Sequence, residues 1–176
     1  MKACKVCKED FEPTRSTTQQ VCSMSCAITF TRQKAEKKRK KETNKMRRAM
    51  NEKDKAYQLK RAQEVFNSFI RERDSQINGC ISCGSTTGRW TAGHYKTDKA
   101  LRFNEDNCHG QCWWNCNSNK SGNIAEYRPN LVKKIGKART EYLELYHPSP
   151  QWTLEQVIEI KLKYRAKVKA MKQELL

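Results

Sequence analysis

The sequence predicts a mostly helical α+β fold, assembled from small modules rather than around one large hydrophobic core. Hydrophobic residues make up only 36% of the 176 residues, which is little for a compact globule of this length. Neither Gly nor Pro occurs from Thr14 to Asn78, so a long helix is favoured there. The cysteines, in contrast, cluster in two short segments, which indicates small modules held together by their cysteines.

Cysteine spacing indicates two metal sites. Pairs separated by two or three residues are typical of zinc knuckles, in which four thiolates surround one ion tetrahedrally. Two such sets occur, which we call the N-terminal quartet (Cys4, Cys7, Cys22, Cys26) and the core quartet (Cys80, Cys83, Cys112, Cys116). The ninth cysteine, Cys108, is expected to be a small buried residue.

The chain is divided into four predicted regions. Residues 1–28 form a zinc module that is too short to bury a core, so metal binding supplies its folding energy. Residues 29–61 form a basic helical arm, 62–128 a core with its packing helix, and 129–176 the C-terminal helices. The pattern Thr153-x2-Gln156 predicts a capping box at the start of the last helix.

The net charge and the N-terminal sequence indicate which partners and which cellular compartment to expect. Lys and Arg number 36 against 19 acidic residues, a formal net charge of +17, which favours a polyanion such as DNA or RNA. The first residues lead into no apolar run, so we expect no signal peptide, no membrane span and a cytoplasmic location. In a reducing compartment, clustered cysteines more often hold metal than form disulfides.

The basic arm is the main candidate for contact with the DNA backbone. From Arg32 to Arg61 there are 14 basic residues and four acidic ones, so the charge has one sign rather than alternating. The alternative is a solvated helix face without a partner. The arm residues expected to contact phosphates are Lys37, Lys38, Arg39, Lys40, Lys41, Arg47 and Arg48.

The segment around the core quartet predicts a β-hairpin followed by a helix. Residues 88–95 and 104–112 can each form a short strand, and a helix can start near Cys116. A hairpin followed by a helix is the order of a ββα-metal unit.

Candidate catalytic residues fall within this unit. His94, near the end of the first strand, can take a proton from water near pH 7, and Asn107 is expected to orient its imidazole. Asn117 offers an amide oxygen to a hard divalent cation such as Mg²⁺ or Mn²⁺. Lys120 can contact a phosphate, and Tyr95 and Lys96, beside His94, are further candidates for DNA contact.

These motifs resemble a known family. The runs that carry the resemblance are Gly93-His94-Tyr95, 101–107, Cys116-Asn117, 120–123 and, upstream, 69–74. They resemble the lambdoid phage NinG (Rap) proteins and, more distantly, the HNH (His-Me finger) nucleases. The resemblance implies an endonuclease of phage recombination that cuts branched DNA such as Holliday junctions and D-loops, with structural zinc and a catalytic divalent metal. Symmetric cuts would suit a homodimer, and phage or host recombination proteins are expected partners.

Two positions depart from the pattern. Many HNH sites carry an acidic metal ligand immediately before the first His, where this chain has Gly93, so the second ligand is open between His109 and Asp98. The later cysteine pair has one extra residue compared with the family's Cys-x2-Cys, which shifts the start of the helix and the facing of Asn117.

Other interpretations of the same residues stay open. A non-catalytic zinc protein that binds branched DNA or structured RNA would explain the charge and both quartets equally well. Trp113 and Trp114 can stack on exposed bases, although at least one is expected to pack around the zinc. His147, next to Pro148, is expected to be a loop residue.

Overall fold

The computed structural model describes residues 1–14, 16–75 and 79–173, and the chain divides into two compact units, Met1–Asn51 and Glu52–Leu176. The predicted class, mostly helical α+β, is confirmed, and the described strands form two small antiparallel sheets. Across those ranges no helix is both long and apolar enough to cross a membrane.

The elements are β1 (Lys2–Ala3), β2 (Asp10–Phe11), α1 (Met24–Lys53), α2 (Lys55–Ser75), β3 (Trp90–His94), β4 (Cys108–Cys112), a π-helix (Trp113–Asn119), α3 (Ile124–Ile135), α4 (Lys137–Glu144) and α5 (Leu154–Gln173).

The first unit contains very little hydrophobic core. Its two-residue strands pair in the register Lys2 with Phe11, and the turn between them is closed by the Lys8 amide, which donates to the Cys4 carbonyl at 3.0 Å. Cys4 is buried, whereas α1 has no buried residue along its 30 positions. Burial of apolar surface therefore cannot be what holds this unit together.

The long helical stretch predicted from residue 14 to residue 78 is interrupted at Asp54. Its Oδ1 accepts hydrogen bonds from the amides of Ala56 at 2.8 Å and Tyr57 at 3.2 Å, which is the geometry of an N-cap. The residue divides the stretch into α1 and α2 without Gly or Pro. The predicted helical stretch is therefore present as two helices, because a side-chain carboxylate satisfies the free amides of a new helix start.

In the second unit, α2 packs against α5 and the hairpin of β3 and β4. The hairpin register pairs Trp90 with Cys112 and His94 with Cys108. The buried face of α2 includes Phe66, whose ring meets Tyr164 of α5 edge-on at 4.8 Å. Cys108 is buried in the same cluster, as predicted, and burial raises the pKa of its thiol.

A second cluster lies under α3 and α4. It combines Tyr95 and Leu101 with Tyr127 and Leu131 of α3 and Leu143 of α4. The Phe66 ring of the first cluster lies 6.4 Å from the His94 ring, and Tyr95, the next residue in the chain, packs in the second cluster.

Candidate functional site

Each cysteine quartet brings four sulfur atoms together. Within each quartet all four sulfurs lie within 4.8 Å of one another. The sulfur of Cys7 lies 3.5 Å from that of Cys22, the sulfurs of Cys22 and Cys26 are 3.7 Å apart, and those of Cys83 and Cys112 are also 3.7 Å apart. A tetrahedral zinc with Zn–S bonds of about 2.3 Å separates its sulfurs by roughly 3.8 Å. Both quartets can therefore hold a zinc ion, and the all-thiolate donor set suits zinc.

A backbone turn positions the first half of the core quartet. The Gly84 amide donates to the Cys80 carbonyl at 2.8 Å, and the Cys80 amide donates to the Ser85 carbonyl at 2.7 Å. Burial raises the pKa of the Cys80 thiol, but hydrogen bonds from the backbone of Cys112, Cys83 and Ser82 outweigh it and leave the pKa lowered. These bonds favour the thiolate, which is the form that binds metal.

The extra residue of the core quartet lies in a π-helix. Residues Trp113–Asn119 form π-turns, which bond from i to i+5 and so accommodate one more residue per turn than an α-helix. Cys116 remains buried within it. The predicted helix from about residue 116 is thus replaced by a π-helix that starts directly after β4.

His94 ends β3 with its ring half-buried. Its Nε2 lies 3.2 Å from the backbone carbonyl of Arg102. A carbonyl only accepts, so Nε2 carries the proton and the Nδ1 lone pair is left to take one. Burial lowers the pKa of His94, the bond to the Arg102 carbonyl raises it, and the Arg102 charge lowers it. The imidazole is therefore neutral near pH 7 and oriented by the backbone, as a general base must be.

Asn107 does not orient this ring. Its Nδ2 donates to the carbonyls of Lys96 at 2.9 Å and Leu101 at 3.2 Å, and its Oδ1 accepts from the Lys96 amide at 2.9 Å. Both N–H groups of the amide are thereby used on the loop. The expected contact with His94 is corrected: Asn107 fixes the loop that leads to Arg102, whose carbonyl holds the imidazole.

The His109 side chain is buried beneath the hairpin and is not accessible to a catalytic metal ion. Its Nδ1 lies 3.2 Å from the Tyr127 hydroxyl, which donates to the Gly93 carbonyl at 3.0 Å. Burial, with the charges of Lys134 and Arg73, lowers its pKa to about 3. The assignment of His109 as a catalytic metal ligand is therefore corrected. His109 instead supports Tyr127, a residue that sequence reasoning did not identify.

Asp98 also has a local role. Its Oδ1 accepts from the Ala100 amide at 2.8 Å, which caps a turn. Among the residues that the structure describes, neither Asp98 nor His109 belongs to a group of three or more potential metal ligands.

Gln111 explains why glycine precedes His94. A Cβ at Gly93 would lie 2.3 Å from Gln111 Oε1, so the space of an acidic side chain is already filled. Gln111 is fully buried; its Nε2 donates to Ser82 Oγ at 2.7 Å, and its Oε1 accepts from Asn117 Nδ2 at 3.0 Å. It links the core quartet's turn to Asn117 and fixes that amide. Because Nδ2 is the donor in this bond, Oδ1 is the atom of the Asn117 amide that could bind a cation.

Of the predicted DNA contacts beside His94, the structure contradicts one. Tyr95 is 5% exposed, and its hydroxyl donates to Glu144. Burial and Glu144 raise the pKa of Tyr95 to about 12, so it is a core residue rather than a DNA contact. Lys96 is half-buried with its amino group 5.3 Å from the Tyr95 ring centre, and Lys120 is exposed directly after the π-helix.

Trp113 and Trp114 are the two residues directly after Cys112 of the core quartet. Trp90 packs against the buried cysteines, while both other rings reach the surface. His147 lies between α4 and α5, as expected of a loop residue.

The arm presents its basic side chains to solvent. In α1, Lys40 pairs with Glu36 at 2.8 Å, and Arg47 donates to Asn44 at 3.1 Å. All the arm residues expected to contact phosphates are exposed, namely Lys37, Lys38, Arg39, Lys40, Lys41, Arg47 and Arg48.

Comparison with known proteins places the chain. The profile of the family described as Bacteriophage Lambda NinG protein matches residues 1–174. Protein ninG of Escherichia phage 933W is 38% identical over 97% of this chain and 94% of its own length. Protein ninG of Escherichia phage lambda is 44% identical over 68% of this chain and 60% of its own length. No solved structure matches. This chain belongs to the NinG family of phage proteins.

Proposed function

We propose that this protein is a metal-dependent, structure-specific DNA endonuclease that cuts branched recombination intermediates such as Holliday junctions and D-loops. The environment of His94 carries the proposal. A neutral imidazole whose Nε2 donates to a carbonyl, and whose Nδ1 has no hydrogen-bond partner among the residues that the structure describes, meets the needs of a general base. The basic surface and the two cysteine quartets would suit a non-catalytic zinc protein equally well; the state of His94 favours the enzyme.

In the proposed reaction, His94 Nδ1 takes a proton from the water whose oxygen bonds to the scissile phosphorus. The bond from phosphorus to the leaving sugar oxygen breaks, and that oxygen takes a proton from solvent water. Asn117 Oδ1, held by Gln111, is the oxygen ligand that this chain offers to Mg²⁺ or Mn²⁺. A divalent cation held there would supply charge neutralisation at the phosphate. The residues thus belong to an HNH-type site without an acidic residue before the histidine.

Zinc has a separate task in this proposal. In the core quartet it fixes the end of β4 and the π-helix that carries Asn117, without touching the substrate. In the N-terminal quartet it folds the residues that precede α1.

DNA is held mainly through its phosphates. The exposed arm of α1 and Lys120 present positive charge, and phosphate contacts carry no sequence information. Such binding suits a substrate chosen by shape. A homodimer would supply two sites for paired cuts in a junction, and the relevant compartment is the cytoplasm of the phage's host, where recombination proteins would be its partners.

The proposal is tested by incubating the zinc-loaded chain with an end-labelled four-way junction and with a linear duplex of equal length. We expect cuts in the junction with Mg²⁺ or Mn²⁺, none after chelation of the divalent metal, and much less cleavage of the duplex. Tight junction binding with no cleavage under either metal would instead identify a non-catalytic branched-DNA-binding protein. A preference for structured RNA at matched salt would identify an RNA-binding protein.

A further inference from the structure

Two adjacent tryptophans are exposed at the start of the π-helix. Trp113 is 39% and Trp114 62% exposed, and they directly follow Cys112 of the core quartet. Tryptophan is usually well buried in a monomeric protein. Two of them side by side form an apolar surface of the kind that marks a binding site.

The two rings and one arginine form a single ordered surface. The ring centres of Trp113 and Trp114 lie 5.7 Å apart, and the Arg89 guanidinium lies 5.0 Å from the centre of the Trp113 ring. The Trp113 amide donates to the Arg89 carbonyl at 2.8 Å, which fixes the two segments to each other. The surface is therefore preformed, with positive charge beside flat aromatic faces.

We propose that Trp113, Trp114 and Arg89, which we call the aromatic platform, bind unpaired nucleobases of branched DNA by stacking. The proposal rests on the proposed function in that its ligand is the DNA substrate. Every base has a flat π-face that stacks on tryptophan whatever the sequence. Bases in a duplex are covered by their neighbours, so these faces become available only at a branch, gap or flap. The guanidinium beside the rings and the formal charge of +17 match the phosphates that accompany each base.

The location of the aromatic platform gives it a role in substrate choice. Trp113 and Trp114 lie in the same π-helix as Asn117, the proposed metal ligand. An unpaired base held on the rings would set which neighbouring phosphate reaches the site of His94 and Asn117. Phosphate contacts follow the path of the DNA backbone, and stacking on unpaired bases adds a contact that a duplex cannot make.

The test measures binding rather than cleavage. The full-length, zinc-loaded protein is titrated without Mg²⁺ or Mn²⁺ into fluorescently labelled DNA containing a central unpaired bubble, and into the matching duplex, at the same salt. We expect tighter binding to the bubble, and about tenfold loss of that affinity in Trp114→Ala with the duplex affinity unchanged. Trp114→Phe, which keeps an aromatic ring, should retain most of the preference.

Abasic sites in the bubble complete the test. Removing the bases should weaken binding by the wild type at least as much as Trp114→Ala does, and should weaken binding by that variant less than it weakens the wild type. Tyr146→Ala, which removes an aromatic side chain that is 88% exposed and does not belong to the platform, is the matched control and should change neither affinity. Zinc content and circular dichroism establish that each variant is folded.

The outcomes separate this proposal from the endonuclease proposal. Equal binding of bubble, abasic bubble and duplex by the wild type would overturn the aromatic platform, whether or not the protein cleaves junctions. A bubble preference that depends on Trp114 would support it even if no metal produced cleavage. Tighter binding to single-stranded RNA of the same sequence would overturn the assignment to DNA.

Discussion

The two cysteine quartets have the same spacing within their pairs but different surroundings, and the comparison separates folding from chemistry. The N-terminal quartet lies beside a sheet of two strands, each two residues long, and a helix with no buried residue. The core quartet lies at one end of a hairpin, with Trp90 packed against its buried cysteines and the buried amide of Gln111 bonded to Ser82. The same metal-binding pattern therefore folds the first unit. In the second unit it fixes one part of a structure that apolar packing also stabilises. Only the second surroundings hold a histidine in a defined protonation state.

Zinc removal should give the largest difference between the two units. A structural zinc contributes about 10–16 kcal/mol of apparent folding free energy at pH 7, and the first unit has little else. Chelation should abolish amide protection in β1, β2 and the turn between them. In the second unit, α2 and α5 should stay protected through their apolar contact. Hydrogen exchange measured region by region checks this.

Paired substitutions sharpen the result. Cys4→Ser should unfold the N-terminal turn and leave the hairpin intact, whereas Cys80→Ser should loosen the π-helix without affecting the first unit. Loss of protection in α2 and α5 together with β1 and β2 would contradict the comparison.

Acid should destabilise the second unit through His109. Its pKa is about 3 in the folded state and about 6.5 when unfolded, so the unfolded state binds more protons between these values. Stability is complete above pH 6.5 and is lost as the pH falls towards 3, at up to about 1.4 kcal/mol per pH unit. We expect His109→Asn to lose part of this slope in urea unfolding between pH 6.5 and 4.

Acid also releases zinc from both the variant and the wild type. The informative quantity is therefore the difference between their slopes of stability against pH. His147→Asn, a matched histidine in a loop, should keep the wild-type slope. An unchanged slope in His109→Asn would show that His109 is not buried neutral as its contacts indicate.

The effects of substitutions at Gly93 and Gln111 on the free energy of unfolding should be coupled. Gly93→Ala places a methyl group against Gln111 Oε1 and should cost about 1–3 kcal/mol of unfolding free energy. Gln111→Ala should cost a similar amount, because the hydrogen-bonding groups of Ser82 and Asn117 are left without their buried partner. In the double variant the clash is absent, so its cost should be smaller than the sum of the two single costs. Strict additivity in denaturant unfolding would contradict the contact.

Arm substitutions should have the smallest effect on folding. Because α1 has no buried residue, replacing Lys37, Lys38 and Arg39 with Ala should change the unfolding free energy by less than about 0.5 kcal/mol per site. The same changes should reduce the salt dependence of DNA binding by about one unit of slope for each phosphate that is no longer neutralised. A stability loss without a change in slope would contradict the arm's assignment.

Sequence reasoning reached the features that local spacing determines. The quartets follow from cysteine intervals, and the start of α5 follows from the Thr153–Gln156 capping box, whose two reciprocal bonds measure 2.9 and 3.2 Å. Each depends on residues a few positions apart, where the chain's geometry is nearly fixed.

Features that depend on register or on distant contacts were missed. Gln111 and Gly93 lie on one face of the hairpin because Thr91 pairs with Gln111 and Gly93 with His109, which the sequence does not state. Tyr127 reaches the hairpin from α3, a contact set by tertiary packing. Glycine directly before the histidine was the signal that pointed to a filled space, and only the register shows that Gln111 fills it.

The central claim is that His94 is the base of a DNA-cleaving site, and one measurement tests it directly. Single-turnover cleavage of a four-way junction is compared for wild type, His94→Ala and the matched control His147→Ala, each zinc-loaded and with Mg²⁺. We predict that His94→Ala slows cleavage by about 10²–10⁴-fold while junction affinity is kept, and that His147→Ala cleaves like the wild type. Cleavage by His94→Ala at the wild-type rate would contradict the claim.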